Sequence, residues 1–272
     1  DQVKNIRLEE KIQIINYIIT QQINTDKDYQ KIVDQLSTRT DVKIYTYNNR
    51  GLSKNRNNAI FMSKADICLL ADDDVQYNKQ YFKKILRAFK ENKNSDIITF
   101  KIKTKGNEPE FKNYRTYKFK HNIKTLLKVS SIEIAFKRYQ ITNKKILFDE
   151  RFGLGSIYPA GEETIFLTDA YKRKLDIIYF PDYIVEHSYE STKNKLYNFN
   201  KDTLIFIGAK FFRIFHYYAL FINIYSAIKN YHKTKFSFIK TLYFIYKGSW
   251  YIFKDKILYK ISNYKNLDSK EG

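Results

Sequence analysis

The sequence predicts an α/β fold, a parallel-core sheet flanked by helices, followed by a helical C-terminal region. Three observations carry this. Short β-branched or apolar runs alternate with segments of helical spacing between residues 14 and 102. Acidic and glycine-punctuated clusters fall where such runs end, the place where open α/β sheets bind ligands. Beyond residue 200 the alternation stops, and Phe, Tyr, Ile and Lys dominate.

Taken in order, residues 1–13 place Val3, Ile6, Leu8 and Ile12 at helical intervals and predict a short charged helix. Residues 14–21 are β-branched and aromatic and predict a buried strand. A helix is expected over 28–36 and an alternating strand over 42–47. The Asn-Arg-Gly turn at 49–51 opens a helix over 52–63, with Ser53 as its cap. Residues 67–71 form a continuous apolar run, a strand that stops at Asp72-Asp73-Asp74. Residues 80–92 form an amphipathic helix with Phe82, Ile85, Leu86 and Phe89 on one face. Strands follow at 97–102 and, ended by Pro181, at 177–180. No internal repeat is visible.

Composition narrows the function classes. With 43% hydrophobic residues the 272-residue chain can bury a core, and 8 glycines and 3 prolines exclude a linker-rich or collagen-like chain. Part of the Lys, Asn, Ile and Tyr richness reads as the background of an AT-rich genome. The net charge of +20 points to a nucleic acid or an anionic membrane as partner. Cys68, the single cysteine, lies in the apolar run and predicts a buried thiol, and one cysteine with four histidines excludes a structural zinc cluster. The chain opens at Asp1 on a helical pattern without a signal segment, as if trimmed from the front.

Three adjacent carboxylates at a strand end repel one another and need compensation. A hard cation, Mg²⁺ or Mn²⁺, supplies it and also neutralises a diphosphate. In an extended strand end Asp72 and Asp74 project to one side and Asp73 to the other, which assigns Asp72 and Asp74 to the ligand. A solvated acidic turn is the alternative. Gly51 opens a helix whose Lys54 and Arg56 favour an anion at its N-terminus, although ordinary capped helices share the pattern. In the stretch from Phe148 to Gly155, glycines punctuate a loop, and Gly161-Glu162-Glu163 then opens an amphipathic helix. One of these acids can serve as general base while the other holds an acceptor hydroxyl. Acids placed there by the helix dipole are the alternative. His187 follows the last strand and reads by itself as structural.

In this order RGLSKNRNNAI at 50–60, ADICLLADDDVQY at 65–77, FDERFGLG and GEETIFL within 148–167, and KLDIIYFPDYIVEH at 174–187 resemble bacterial family 2 glycosyltransferases of the GT-A fold. The resemblance spans residues 10–195. It implies a Rossmann-like mixed sheet flanked by helices, with a catalytic domain at 1–195 and a basic aromatic helical region at 196–272. Asp72 and Asp74 match the family's Asp-x-Asp element, which contacts the donor ribose and the divalent cation, with Asp73 also on the donor side. Arg56 matches the helix arginine that holds the nucleotide, with Lys54 and Ser53 beside it. Glu163 matches the acid that deprotonates the acceptor hydroxyl; it is Glu where the family has Asp, so neighbouring Glu162 competes for the role. His187 resembles the histidine that closes over diphosphate and metal, and Ser131 and Glu133 fall on the acceptor side. One departure stands out: the sequence begins after the family's usual first strand, so the sheet and part of the base pocket should lack it.

The implied activity is inverting transfer from a nucleoside-diphosphate sugar to a glycan or lipid-linked acceptor, in bacterial cell-surface polysaccharide or lipopolysaccharide synthesis. The implied location is cytoplasmic, peripheral on the inner face of the plasma membrane. The longest C-terminal stretch without charge, residues 214–228, has 15 residues, short of the ~20 a spanning helix needs. Interleaved aromatics and lysines there suit an anionic membrane surface, or a helical layer packed on protein. A basic nucleic-acid-binding protein or a nucleotidyltransferase is the rival. No nucleic acid partner is expected, because that reading leaves the acidic clusters without a purpose, and no Gly-rich lysine loop supports nucleotidyl transfer.

Overall fold

The computed structural model describes residues 6–23, 29–189 and 199–268, with side chains through residue 255. It divides into two compact units, Asp1–Ile157 with Gly161–Ser191, and Tyr158–Ala160 with Thr192–Gly272.

In the first unit, β1 (Tyr17–Gln22) runs parallel to β2 (Val42–Tyr47), joined through α1 (Gln30–Ser37). The helix α2 (Leu52–Met62) leads to β3 (Ile67–Leu69), and α3 (Lys79–Glu91) to β4 (Ile97–Thr104). After β5 (Phe119–Lys120), α4 (Ile123–Leu126), β6 (Ile134–Lys137) and α5 (Arg138–Asn143) come α6 (Glu162–Lys172) and β7 (Ile177–His187). The main sheet has the order β3-β6-β4-β7-β5. Only β4 and β7 are parallel in it, which makes it the mixed sheet that the family resemblance implies rather than the wholly parallel one that strand–helix alternation alone suggests.

Alternation of side chains across β4, β6 and β7 feeds two cores. Ile97, Ile134, Phe136 and Ile177 enter one, with Phe148 and Phe166; Ile98, Phe100, Ile102, Ala135 and Ile178 enter the other, with Phe82, Ile85 and Phe89 of α3. Burying each large side chain is worth about 1.5–3 kcal/mol. Asn78 caps α3 by accepting from the Tyr81 amide at 3.0 Å. The buried face of α3 is Tyr81, Phe82, Ile85, Ala88 and Phe89; Leu86, expected on it, is exposed.

β1 and β2 form a sheet of their own. Tyr17 and Ile23 donate their amides toward β2, which turns the backbone of Ile18 and Thr20 to the opposite edge. Asn55 of α2 covers that edge: its Nδ2 donates to the Thr20 carbonyl at 2.7 Å, and Thr20 Oγ1 donates to the Asn55 carbonyl at 3.2 Å. Across the seam, β3 pairs with β6 alone. Among the described residues no strand bridges β1 to β3.

Two expected elements change. Residues 6–16 contain no helix; Ile12 and Ile15 lie against the second core instead, and residues 1–5 of that expectation fall outside the described residues. β7 runs on through Pro181 because its register with β4 shifts there, Thr99 facing Tyr179 but Lys101 facing Tyr183. A bulged strand tolerates a proline that has no amide to give. Cys68 is only partly buried, near Ser63 Oγ at 3.4 Å, and burial raises its thiol pKa.

The second unit holds α7 (Lys201–Phe215), α8 (Ala219–Asn230) and α9 (Phe238–Asp268). Asn200 caps α7 by accepting from the Thr203 amide at 2.9 Å. His216, at φ +52°, ends α7 and reverses the chain into α8.

Candidate active site

The acidic triplet lies in a turn beyond β3, where side chains do not alternate as in a strand. Each flanking carboxylate therefore meets its own partner. Arg56, buried on α2, donates from one guanidinium nitrogen to Asp72 Oδ1 at 2.8 Å and from the other to Glu162 Oε1 at 2.9 Å. Ser131 Oγ donates to the second Asp72 oxygen at 3.2 Å. Asp74 faces His187, whose Nε2 lies 3.4 Å from Oδ2. A two-way backbone bridge between Gln76 and Glu186, at 3.0 and 2.8 Å, sets the turn against the end of β7 and so brings Asp74 to His187.

The protein itself thus compensates two of the three acids. Burial works against the Arg56 charge, yet Asp72 and Glu162 outweigh it and hold the guanidinium pKa above its ordinary value. The His187 hydrogen bond holds the Asp74 carboxyl below its usual range, and the same bond raises the His187 imidazolium. Among the described residues Asp73 has no ion-pair or side-chain hydrogen-bond partner: burial, then the neighbouring Asp74 charge, push its pKa up.

Helix α6 supplies the second pair of acids. Gly161, at φ +87°, forms its N-cap in the left-handed region that a side chain would strain. Glu162 is buried against Arg56, whereas Glu163, on the same first turn, is partly exposed. The loop before α6 is tied to α2. Asn57 Nδ2 donates to the Phe148 carbonyl at 3.0 Å and its Oδ1 accepts from the Phe148 amide at 2.9 Å. The Leu52 amide donates to the Leu154 carbonyl at 2.9 Å. The Phe148 ring stacks on Phe166 at 4.4 Å and lies 5.6 Å from the Arg56 guanidinium. At Gly153, φ +105°, a Cβ would stand 3.1 Å from Ser53 Oγ and crowd Glu162.

Several expected site residues sit elsewhere. Ser53 does not cap α2: the N-cap is Gly51, and the fully buried Ser53 hydroxyl donates to the Phe152 carbonyl at 2.5 Å. Glu133 is 2% exposed and wholly engaged by Lys112 Nζ at 2.8 Å, the Ser130 amide at 2.7 Å and the Tyr114 hydroxyl, so it is no acceptor contact. Its role is to fix the turn that places Ser131 on Asp72. Lys54 makes no hydrogen bond or ion pair with the described residues and remains available to an anion. Sequence reasoning missed Asn57, Lys112 and Tyr114, which act through other residues and stand in no recognisable spacing. Among the described residues no three His, Cys, Asp or Glu side chains converge on one metal-sized point.

Relatives place this arrangement. The family model described as Glycosyl transferase family 2 matches residues 8–153. No curated protein matches the chain in sequence. Among solved structures, S. aureus TarS 1–349 superposes with a TM-score of 0.55 at 15% identity, covering 79% of this chain and 60% of that one. The same fragment in complex with UDP-GlcNAc gives 0.57 at 16% identity, covering 85% and 66%. S. aureus TarS gives 0.56 at 15% identity, covering 86% and 40%. This chain therefore spans between 40% and 66% of those structures' length, and the likeness establishes a shared fold. Matched over more than half its length by the family model, the chain belongs to glycosyl transferase family 2.

Proposed function

We propose that the chain is an inverting glycosyltransferase that moves a sugar from a nucleoside-diphosphate sugar to an acceptor hydroxyl. The observation that carries this is the Arg56 bridge, which sets the first acid of the triplet beside the acids opening α6. Donor-side and acceptor-side chemistry need that adjacency. Glu163 is the base: it matches the family's acid, and it keeps partial solvent access where Glu162 is buried. Glu163 takes the acceptor proton as the acceptor oxygen forms its bond to the anomeric carbon. The bond from that carbon to the diphosphate oxygen breaks, and the nucleoside diphosphate leaves with the electron pair. Attack from the opposite face inverts the configuration. Lys54 stabilises the charge developing on the leaving group.

The oxygen donors fit a divalent cation. Asp74 is half exposed, and Asp72 offers a second carboxylate. Mg²⁺ held largely by phosphates needs only one or two protein carboxylates. Bound there, Mg²⁺ or Mn²⁺ would neutralise diphosphate charge, with His187 steadying Asp74. A UDP-linked donor is favoured because a structural relative was solved with UDP-GlcNAc. The acceptor is a glycan or a lipid-linked saccharide of the cell surface.

Calorimetry of UDP and GDP binding, with and without Mn²⁺, tests the donor half. Metal-dependent binding that disappears in Asp74→Ala is expected. A folded protein that binds neither nucleotide in either condition would overturn the proposal.

A further inference from the structure

Helix α8 is inside out. Its buried residues are Ala219, Asn223, Ser226 and Ala227, small or polar, while Leu220, Phe221, Ile224, Tyr225 and Ile228 face solvent. The inner face is held by a buried hydrogen-bond chain: Asn223 Nδ2 donates to Ser249 Oγ at 2.7 Å, which donates to the Gly208 carbonyl at 3.0 Å. The Tyr246 hydroxyl donates to the Leu220 carbonyl at 2.9 Å and joins α8 to α9. The orientation of α8 is therefore fixed by polar contacts, and its large apolar side chains stay outside. A contiguous exposed apolar face of this kind marks an interaction surface.

Next to it α9 carries a different stripe. Ile239, Tyr243, Lys247, Trp250 and Lys254 follow one another at intervals of four, four, three and four; all are exposed but Lys247, which is half-buried. Lys247 Nζ lies 5.9 Å from the Tyr243 ring centre and 5.8 Å from that of Tyr251. Between residues 199 and 255 there are nine Lys and Arg against two Asp. A second copy of the chain would set like charges against each other around this patch. A negative lipid surface accepts both the apolar face and the basic rim.

We propose that the C-terminal unit docks on an anionic bilayer, with α8 lying in the interfacial plane and the aromatic and lysine stripe of α9 as its anchor. It lies in the plane and does not span. The stretch Lys201–Lys233 is apolar enough by composition, with a mean hydropathy of 1.4 in its best window. The reversal at His216 splits it into helices of 15 and 12 residues, each below the ~20 needed to cross. The inference stands apart from the donor-site proposal and fails or succeeds independently of it.

The chain carries its own reporter in Trp250, its single tryptophan, 57% exposed. Full-length protein mixed with vesicles of phosphatidylcholine and phosphatidylglycerol should shift Trp250 emission to the blue and float with the lipid. Phosphatidylcholine alone should give no shift, and high salt should weaken binding. Phe221→Ser with Tyr225→Ser, both outside the packed face, should lower partition about tenfold or more with an unchanged circular dichroism spectrum. Lys240→Glu with Lys247→Glu should abolish the preference for anionic lipid. No shift on anionic vesicles at low salt overturns the proposal. So does an equal shift with soluble polyphosphate, a concentration-dependent dimer that buries Trp250 without lipid, or resistance to alkaline carbonate extraction.

Discussion

Arg56 is the residue on which the site turns, because one buried cation neutralises two acids from opposite ends of the motif set. Removing one partner of a buried pair strands the other charge. Arg56→Met should therefore cost about 3 kcal/mol of stability, read by urea denaturation, mostly through Glu162 left buried and unpaired. Arg56→Lys keeps the charge but cannot fork to both carboxylates, and should bind nucleotide more weakly than wild type in the same calorimetry. The Asp74–His187 pair gives a pH signature. His187 is raised above 6.5, so its share of stability is complete below 6.5 and is lost as pH rises through the folded value. Asp74 is lowered below 3.8, so its share is complete above 3.8 and is lost as pH falls through the folded value. A proton NMR titration should find the His187 pKa above 6.5 and see it fall in Asp74→Asn. At this scale the sequence named Arg56, Asp72, Asp74, Glu162 and His187 but could not divide their work. Which acid of Glu162-Glu163 is consumed by an ion pair depends on a partner 106 residues away, and a buried Glu133 looks in sequence like an exposed one.

Elements were legible where the local signal was strong and unshared. The alternating 42–47 run is β2 as expected, and the glycine turn at 51 does open α2. Elements whose form depends on distant packing were not. The 6–13 segment has helical spacing, yet Ile12 is drawn to the core without a helix. β7 outlasts its proline because β4 shifts register beside it. The mixed sheet order follows from β6 entering between β3 and β4, which no run of residues announces. In the C-terminal unit the packing turns on two glycines that no spacing in the sequence announces. A Cβ on Gly208 would collide with the Ile245 backbone of α9, and one on Gly248 with the Ile205 carbonyl of α7. Both lie inside helices, where glycine costs about 1 kcal/mol against alanine; here close approach of two backbones requires it. Gly248→Ala should thus destabilise by about 1–3 kcal/mol despite the better helix former, as the urea midpoint would show.

The whole molecule joins a sheet-based unit with family 2 machinery to a basic helical unit whose oily face is turned outward. Formal charge of +20 is legible from the sequence, but its arrangement around one helix face is not, since only folding decides which lysines share a rim. The same holds for the seam between β1 and β3. Because no hydrogen-bond ladder crosses it, opening the β1–β2 pair breaks none of the bonds of the five-stranded sheet. α2 stays fastened to the 148–154 loop through Asn57 and Leu52, and releases its bonds with Thr20 and the Gln22 bond to the Gly51 carbonyl at its N-cap. Strand pairing therefore does not couple the pair to the five-stranded sheet; apolar packing does, through Ile12, Ile15 and Tyr17 on the second core, and that contact sets how readily the pair opens while Arg56 keeps both acids in its grip.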